Sequence, residues 1–196
     1  MYNKQMIFQR IVCYALLAAS ALVFLYSLGL MTDLYDALYS TMRNTNDFTD
    51  SSVSGSVIYY DMQPFNALFT KVSIGLILVS LVLFLTCTHS RRKYYSGNLI
   101  SVILSTVCNV GVSVWAFGQI FAYKKQFLQI DFEALKEHSE MWGTLYTEST
   151  FWFDVSIFVF GFLLLCTALL IVNYILKINL MKAEKQLIGK RKEVRV

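Results

Sequence analysis

Four long stretches of this sequence contain no charged residue, and they occupy positions 11–32, 72–88, 94–123 and 155–176. A helix rises about 1.5 Å per residue, so a run of about 20 residues covers the ~30 Å hydrocarbon core of a bilayer. Lipid offers backbone amides no hydrogen-bond partner, so runs of this kind must be helical. The sequence therefore predicts four membrane-spanning helices.

The predicted fold is an all-α integral membrane protein, built as a four-transmembrane-helix bundle. Charged residues make up only 15% of the chain, whereas soluble domains contain about 25%. We expect one membrane domain at 1–176, with helices at about 11–32, 67–88, 97–123 and 152–176 and outer loops at about 33–66 and 124–151. Residues 177–196 are expected to form a basic, amphipathic cytoplasmic tail. The uncharged run of the first span exceeds that of a signal peptide, so we expect this span to be retained.

Charges are divided unevenly between the segments outside the spans. The N-terminus, the turn at 89–93 and the C-terminal tail hold 12 of the 17 Lys and Arg residues and two of the 13 acids. The other two loops, roughly 33–71 and 124–154, hold five basic residues and eleven acids. The positive-inside rule then places both termini in the cytoplasm and the acidic loops outside. The outer loops have no cysteine and the chain has no Asn-x-Ser/Thr sequence, which favours a bacterial cytoplasmic membrane.

Two basic clusters flank the spans, and they consist of Arg91, Arg92 and Lys93 and of Lys190, Arg191 and Lys192. We interpret both clusters as topology anchors. A cation near an anionic membrane surface gains about 1 kcal/mol, so membrane lipids are expected partners. Nucleic acid is not an expected partner, because cations beside a membrane already meet anionic lipid head groups.

The third span contains a stripe of small polar residues at a spacing of four, formed by Ser101, Ser105, Asn109 and Ser113. Such a stripe lets helices approach closely and supplies hydrogen bonds between them, worth about 0.6–2 kcal/mol each. Asn109 is costly against lipid and should face protein. Three roles remain open for the stripe: packing within this chain, contact with another subunit, and the lining of a polar pore.

The first outer loop is predicted to begin with a short helix near Leu34, because apolar residues recur there at helical spacing. We expect its polar middle, residues 44–56, to be flexible and residues 56–62 to form a short strand. Pro64 is expected to mark the start of the second span.

The second outer loop is predicted to extend the third span outward as an amphipathic helix. Its apolar residues fall on one helical face, and they are Leu128, Phe132, Leu135, Trp142 and Leu145. We select Phe132, Leu135 and Trp142 as candidate contacts for a partner outside the membrane. An apolar face of this kind must pack against something, and the alternatives are the first loop, the lipid surface and a second protein.

Catalytic chemistry has little support in the sequence. The four cysteines all lie in predicted spans without a Cys-x-x-Cys pair, as is typical of small buried side chains: Cys13, Cys87, Cys108 and Cys166. The two histidines have no companions at ligand spacing. No acid lies in the middle of a span, where a proton or cation carrier needs one. We therefore expect no enzyme activity, no cofactor and no metal site.

The predicted function is that of a non-catalytic accessory or assembly subunit of a larger membrane complex, with a transporter as the expected kind of complex. The helices lack transport chemistry, yet the chain keeps two sizeable outer loops and a polar stripe, and these are surfaces for contact with other membrane subunits. The alternative is a self-assembling homo-oligomeric channel or transporter with a polar path along the third helix. A lipid-directed enzyme ranks third, because no loop acid lies at a spacing that suggests catalysis.

Overall fold

The computed structural model describes residues 2–44, 47–88 and 95–193. Within these ranges the chain forms six helices and two short strands. In chain order they are α1 (Tyr2–Gly29), α2 (Thr32–Tyr39), β1 (Met42–Asn44), β2 (Asp47–Ser51), α3 (Ile58–Thr88), α4 (Tyr95–Phe127), α5 (Phe132–Trp142) and α6 (Phe151–Glu193).

Four helices in the described part of the chain, α1, α3, α4 and α6, are long and apolar enough to cross a membrane. The most apolar windows of the four spans have mean hydropathies of 2.2, 2.4, 1.9 and 2.9. This finding confirms the predicted number of such helices and agrees with an all-α membrane bundle. The four helices are longer than predicted. Helix α6 continues without a break through most of the segment that was expected to be a separate tail.

The start of α3 differs from the prediction. Residues 58–62 are helical rather than a strand, and Pro64 lies inside the helix instead of marking its start. The run of β-branched and aromatic residues favours a strand by propensity. The helix instead buries Ile58, Met62 and Phe65 along one face, and this burial outweighs local propensity and the one backbone hydrogen bond that proline cannot donate.

The described residues in the polar middle of the first outer loop include two short antiparallel strands, which together we call the hairpin. Strands β1 and β2 pair Met42 with Ser51 and Asn44 with Asp47. Behind the hairpin, the buried hydroxyls of Thr41 and Ser56 lie 2.6 Å apart. This hydroxyl pair spans 15 residues of sequence, a pairing that composition does not reveal, and the flexibility expected for residues 44–56 stays a prediction.

Helix α5 is a separate element, not an extension of α4 as predicted. The chain turns after Phe127, and the Asp131 carboxylate caps α5 by accepting from the backbone N–H of Ala134 at 3.1 Å. At the other end, Gly143 adopts φ 65°, the left-handed conformation that terminates a helix. Predicting one continuous amphipathic helix missed both boundary residues.

The chain divides into two compact units. The terminal unit comprises Met1–Ser20, Leu76–Val110 and Phe162–Val196, and the loop unit comprises Ala21–Gly75 and Gly111–Gly161. The core of the terminal unit is largely aliphatic, with Leu16, Leu83 and Leu170 fully buried. A membrane protein core of this kind is held by close packing, because lipid is as apolar as leucine and supplies no hydrophobic drive between helices.

The loop unit has an aromatic core to which all four long helices contribute. Phe69 of α3 is fully buried, with its ring centroid 6.2 Å from that of Tyr26 (α1), 6.3 Å from that of Trp115 (α4) and 6.1 Å from that of Phe160 (α6). Tyr26 also donates its hydroxyl to the carbonyl of Trp152 at 2.8 Å. Offset and edge-on ring contacts add about 0.5–1.5 kcal/mol each beyond burial, so this cluster joins the four helices within the loop unit.

Gly29→Ala should destabilise the loop unit, because a Cβ atom at Gly29 would lie 2.7 Å from the Trp152 ring. We expect the free energy of unfolding in bicelles to fall by about 1–3 kcal/mol. Gly75→Ala is the matched control, since a Cβ there meets nothing within 4 Å. The control should leave the free energy unchanged or raise it by up to ~1 kcal/mol, and equal values for both variants would contradict this packing.

Candidate functional site

The polar stripe predicted on the third span lies on the buried side of α4. Ser105 and Asn109 are fully buried, Ser113 is 2% exposed and Ser101 is 8% exposed. The opposite side of α4 presents aliphatic residues such as Val107 and Val114, which are 64% and 69% exposed. The helix therefore turns its polar side toward protein and its apolar side outward, as a lipid environment requires.

Asn109 connects α4 with α6 inside the terminal unit. Its side-chain amide donates to the hydroxyl of Thr167 at 3.0 Å and to that of Ser105 at 3.4 Å. The Thr167 hydroxyl in turn donates to the backbone carbonyl of Leu163 at 2.8 Å. Of the three roles left open for the stripe, packing within the chain is thus the one to which Asn109 contributes directly.

Two serine pairs connect α1 with α3, and the sequence analysis did not identify them. The hydroxyls of Ser20 and Ser80 lie 2.6 Å apart in the terminal unit, and those of Ser27 and Ser73 lie 3.4 Å apart in the loop unit. On each helix the two serines are seven residues apart, the spacing at which one side of a helix meets an antiparallel neighbour. This heptad spacing was the signal that could have revealed the pairing.

A cluster of buried amides lies near the start of α1 in the terminal unit. Gln5 donates to Gln9 at 3.1 Å and to Asn173 of α6 at 3.0 Å. Gln9 donates to the backbone carbonyl of Cys87 in α3. These side chains are at most 6% exposed, so amide bonds hold α1, α3 and α6 together where the apolar spans end.

The second outer loop exposes apolar side chains. Met141, Trp142 and Leu145, which we call the outer patch, are 77%, 68% and 66% exposed. Of the predicted partner contacts, Leu135 is buried and Phe132 is half-buried against Phe127 at a ring distance of 5.4 Å. The predicted apolar face is not one surface, because Leu135 in its middle is buried while Leu128, at 55% exposed, and Trp142 remain uncovered toward its two ends.

The first outer loop supplies the surface on which the start of α5 rests. The backbone N–H of Asp131 donates to the carbonyl of Ser54 at 3.3 Å. Ser40 and Thr144 are joined by a hydroxyl contact of 3.4 Å at the other end of the helix. The first loop thus holds both ends of α5, and the outer patch stays free of these contacts.

An ion pair fixes the start of α6 in the loop unit. Lys124 of α4 lies 2.5 Å from the carboxylate of Asp154, which also accepts from the hydroxyl of Thr150 at 2.7 Å. The carboxylate lies in the first turn of α6, where the helix dipole favours negative charge. The arrangement orients the beginning of α6.

An open cavity of about 400 Å³ lies in the loop unit between α1, α2 and α3. Tyr35, Tyr59, Gln63 and Asn66 are among its lining residues, together with apolar side chains such as Leu28. None of the described residues that line it carries a carboxylate, an imidazole or a thiol. The cavity offers ring surfaces and hydrogen-bonding groups to a bound molecule.

Both predicted basic clusters fall outside the side chains that the structure describes. Arg91, Arg92 and Lys93 lie outside the described residues, and Lys190, Arg191 and Lys192 belong to the last turns of α6 by their backbone alone. Their role as topology anchors stays a prediction. Among the described residues, no group of three His, Cys, Asp or Glu side chains could hold a metal ion.

Removing either partner of the Asn109–Thr167 hydrogen bond should destabilise the terminal unit. A double-mutant cycle of Asn109→Leu and Thr167→Val should give a coupling energy of about 0.6–2 kcal/mol in bicelle unfolding. Thr106→Val is the control, because the buried Thr106 hydroxyl has no partner among the described residues, so its loss should cost nothing. A coupling energy near zero would show that this contact does not hold α4 to α6.

Comparison with known proteins gives no family assignment. No protein-family model matches the chain, and no curated protein or solved structure matches it either. Function is therefore inferred from the distribution of buried polar and exposed apolar side chains in this chain.

Proposed function

We propose that this protein is a non-catalytic accessory or assembly subunit of a larger membrane complex, and that it binds its partner through the outer patch. The observation that supports this proposal is the exposure of Trp142 at 68% in a segment outside the hydrophobic part of the spans. Trp residues that are exposed in this way are typical anchors of protein interfaces. A transporter remains the expected kind of complex.

The charges around the outer patch favour a protein partner over a lipid surface. Glu137, Glu140 and Glu148 are exposed close to the patch in sequence. Anionic head groups would repel these carboxylates, whereas a basic rim on a partner would complement them. The partner we propose is another membrane subunit whose outer surface is apolar at its centre and basic at its edge.

A homo-oligomeric channel along the third helix has less support. A polar path between protomers needs Ser105 and Asn109 at the outside of the chain, and both are fully buried in the monomer. The hydrogen bond of Asn109 to Thr167 uses the amide within the chain. The stripe therefore gives more support to a role in stabilising the subunit than to a role in conducting a substrate.

We further propose that the protein lies in a bacterial cytoplasmic membrane with both termini in the cytoplasm. The supporting observation is the distribution of charge, since 12 of the 17 basic residues lie in the terminal segments and the turn at 89–93. In this orientation the hairpin, α5 and the outer patch face the outside, where a partner with an extracytoplasmic surface would meet them.

Trp142→Ala should release the partner from the complex while leaving the fold intact. Truncation of a central aromatic anchor typically costs at least about 2 kcal/mol of binding free energy, which is about a 30-fold loss of affinity. The measurement is the mass and composition of the particle after gentle extraction from native membranes. Phe158→Ala is the matched control, because Phe158 is a 77% exposed aromatic on α6 within a span.

The two variants must differ for the proposal to stand. The control should retain every subunit of the wild-type particle, and Trp142→Ala should run as a smaller particle. Retention of all partners by Trp142→Ala would contradict a role for the outer patch. Loss of partners in both variants would indicate general instability, and that too would contradict the proposal.

The proposed orientation predicts which positions a membrane-impermeant thiol reagent can reach in intact cells. Cysteine introduced at Asp50, an exposed residue of the hairpin, should react from outside. Cysteine introduced at Lys185, an exposed residue near the end of α6, should react only after the membrane is permeabilised. The reverse pattern would overturn the orientation.

A further inference from the structure

The cavity between α1, α2 and α3 has two aromatic walls. The rings of Tyr35 and Tyr59 lie 5.2 Å apart between centroids at an angle of 77°, so they form a corner in the lining. Tyr39 stacks on Tyr35 at 5.3 Å and 13°, which holds that ring in place. The cavity volume of about 400 Å³ lies within the range of small-molecule sites.

The polar part of the lining offers hydrogen-bond acceptors. Asn66 lines the cavity, and its buried Oδ1 atom has no hydrogen-bond partner among the described residues. The hydroxyl of Thr32 donates to the carbonyl of Gly29 at 2.6 Å, so its oxygen remains as an acceptor. A buried acceptor without a donor is costly. A ligand with N–H groups would supply the missing donor.

The charged residues on the helices at this end of the cavity are acidic. Helix α2 carries Asp33 and Asp36 but no basic residue, and residues 58–70 of α3 carry Asp61 but no basic residue. Asp36 is four residues from Thr32, so these two residues lie on the same side of α2. Negative charge and the electron-rich faces of tyrosine rings both attract cations. The surroundings of the cavity therefore favour a positively charged ligand over an anion.

We propose that this cavity is a binding site for a protonated primary amine. The ammonium group rests against the corner formed by Tyr35 and Tyr59 and donates an N–H to Oδ1 of Asn66. The carbon chain of the amine contacts the apolar part of the lining, which includes Leu28. The source of the amine is the head group of an aminophospholipid or a small free amine, since both present the same –NH₃⁺ group. The site uses no residue of the outer patch, so it does not depend on the proposed function.

The first test compares ethanolamine with choline. The full-length protein in dodecyl maltoside, an uncharged detergent, is titrated with each compound and binding is followed by saturation-transfer NMR. Choline is the matched ligand, because it has the same charge and carbon chain but no N–H group. Ethanolamine should bind about tenfold more tightly, since only its ammonium group can donate to Asn66.

A second arm identifies the source of the amine. Native mass spectrometry of the same protein measures the retention of phosphatidylethanolamine and of phosphatidylcholine with identical acyl chains. A preference for the primary amine in the lipid arm alone assigns the site to a lipid head group, whereas a preference for free ethanolamine shows that the small amine is sufficient. The absence of a preference in both arms would overturn the proposal.

Substitution of Asn66 tests the hydrogen bond. Asn66→Leu should abolish the preference for ethanolamine over choline and leave the affinity for choline unchanged, because the acceptor that distinguishes the two ligands is gone. A merely structural role of Asn66 would change both affinities together. A preference that persists in Asn66→Leu would contradict the assignment of this residue.

Substitution of Tyr35 tests the aromatic wall. Tyr35→Leu should weaken the binding of both ligands about two- to fivefold, and Tyr35→Phe should retain it because the ring face is kept. Tyr14→Leu is the matched control, since Tyr14 is a 59% exposed tyrosine of α1 outside the lining. Equal affinities of the two Tyr35 variants would contradict the role of the ring, and the wild-type comparison of ethanolamine with choline remains decisive if a variant fails to fold.

Discussion

The interior of a bilayer contains no water, so a polar side chain on a membrane-spanning helix must find its hydrogen-bond partner within protein. In this chain some partners are carbonyls of the same helix, as for Thr167 and Leu163, and others come from neighbouring helices. The pair of Ser20 and Ser80 joins α1 to α3, and Asn109 joins α4 to α6 through Thr167. Each contact satisfies a polar group and also fixes which helix sides face each other. Aliphatic packing and the ring cluster around Phe69 add close contact between the helices, and the polar contacts specify which sides meet.

The outer segments follow a different rule, because water can satisfy their polar groups. Here the informative feature is apolar surface left uncovered. The first loop holds the start of α5 through Ser54 and its end through Ser40, yet Trp142 and its neighbours remain exposed. A chain whose polar stripe is used for its own stability and whose outer end exposes an aromatic patch is better suited to being held by a partner than to conducting a substrate.

The sequence predicts the spans well because a helix that crosses lipid must be long and apolar, and hydropathy detects such runs directly. It predicts the loops poorly. The run around Tyr59 favours a strand by local propensity, but burial of Ile58 and Met62 makes it helical. Asn109 was identifiable because a lone amide in a span must face protein. The serine pairs between α1 and α3 were missed because lateral neighbours on different helices do not appear in the periodicity of one helix. Only the matched heptads of α1 and α3 held that information.

The most direct test of this account is the mass and subunit composition of the native particle that contains this 22.5 kDa chain, extracted gently from its membrane. The account predicts other membrane subunits in fixed proportion, at least one of which has a basic, apolar outer surface against Trp142. A particle containing only copies of this chain, or a lone monomer, would contradict the central claim that the protein is an accessory subunit.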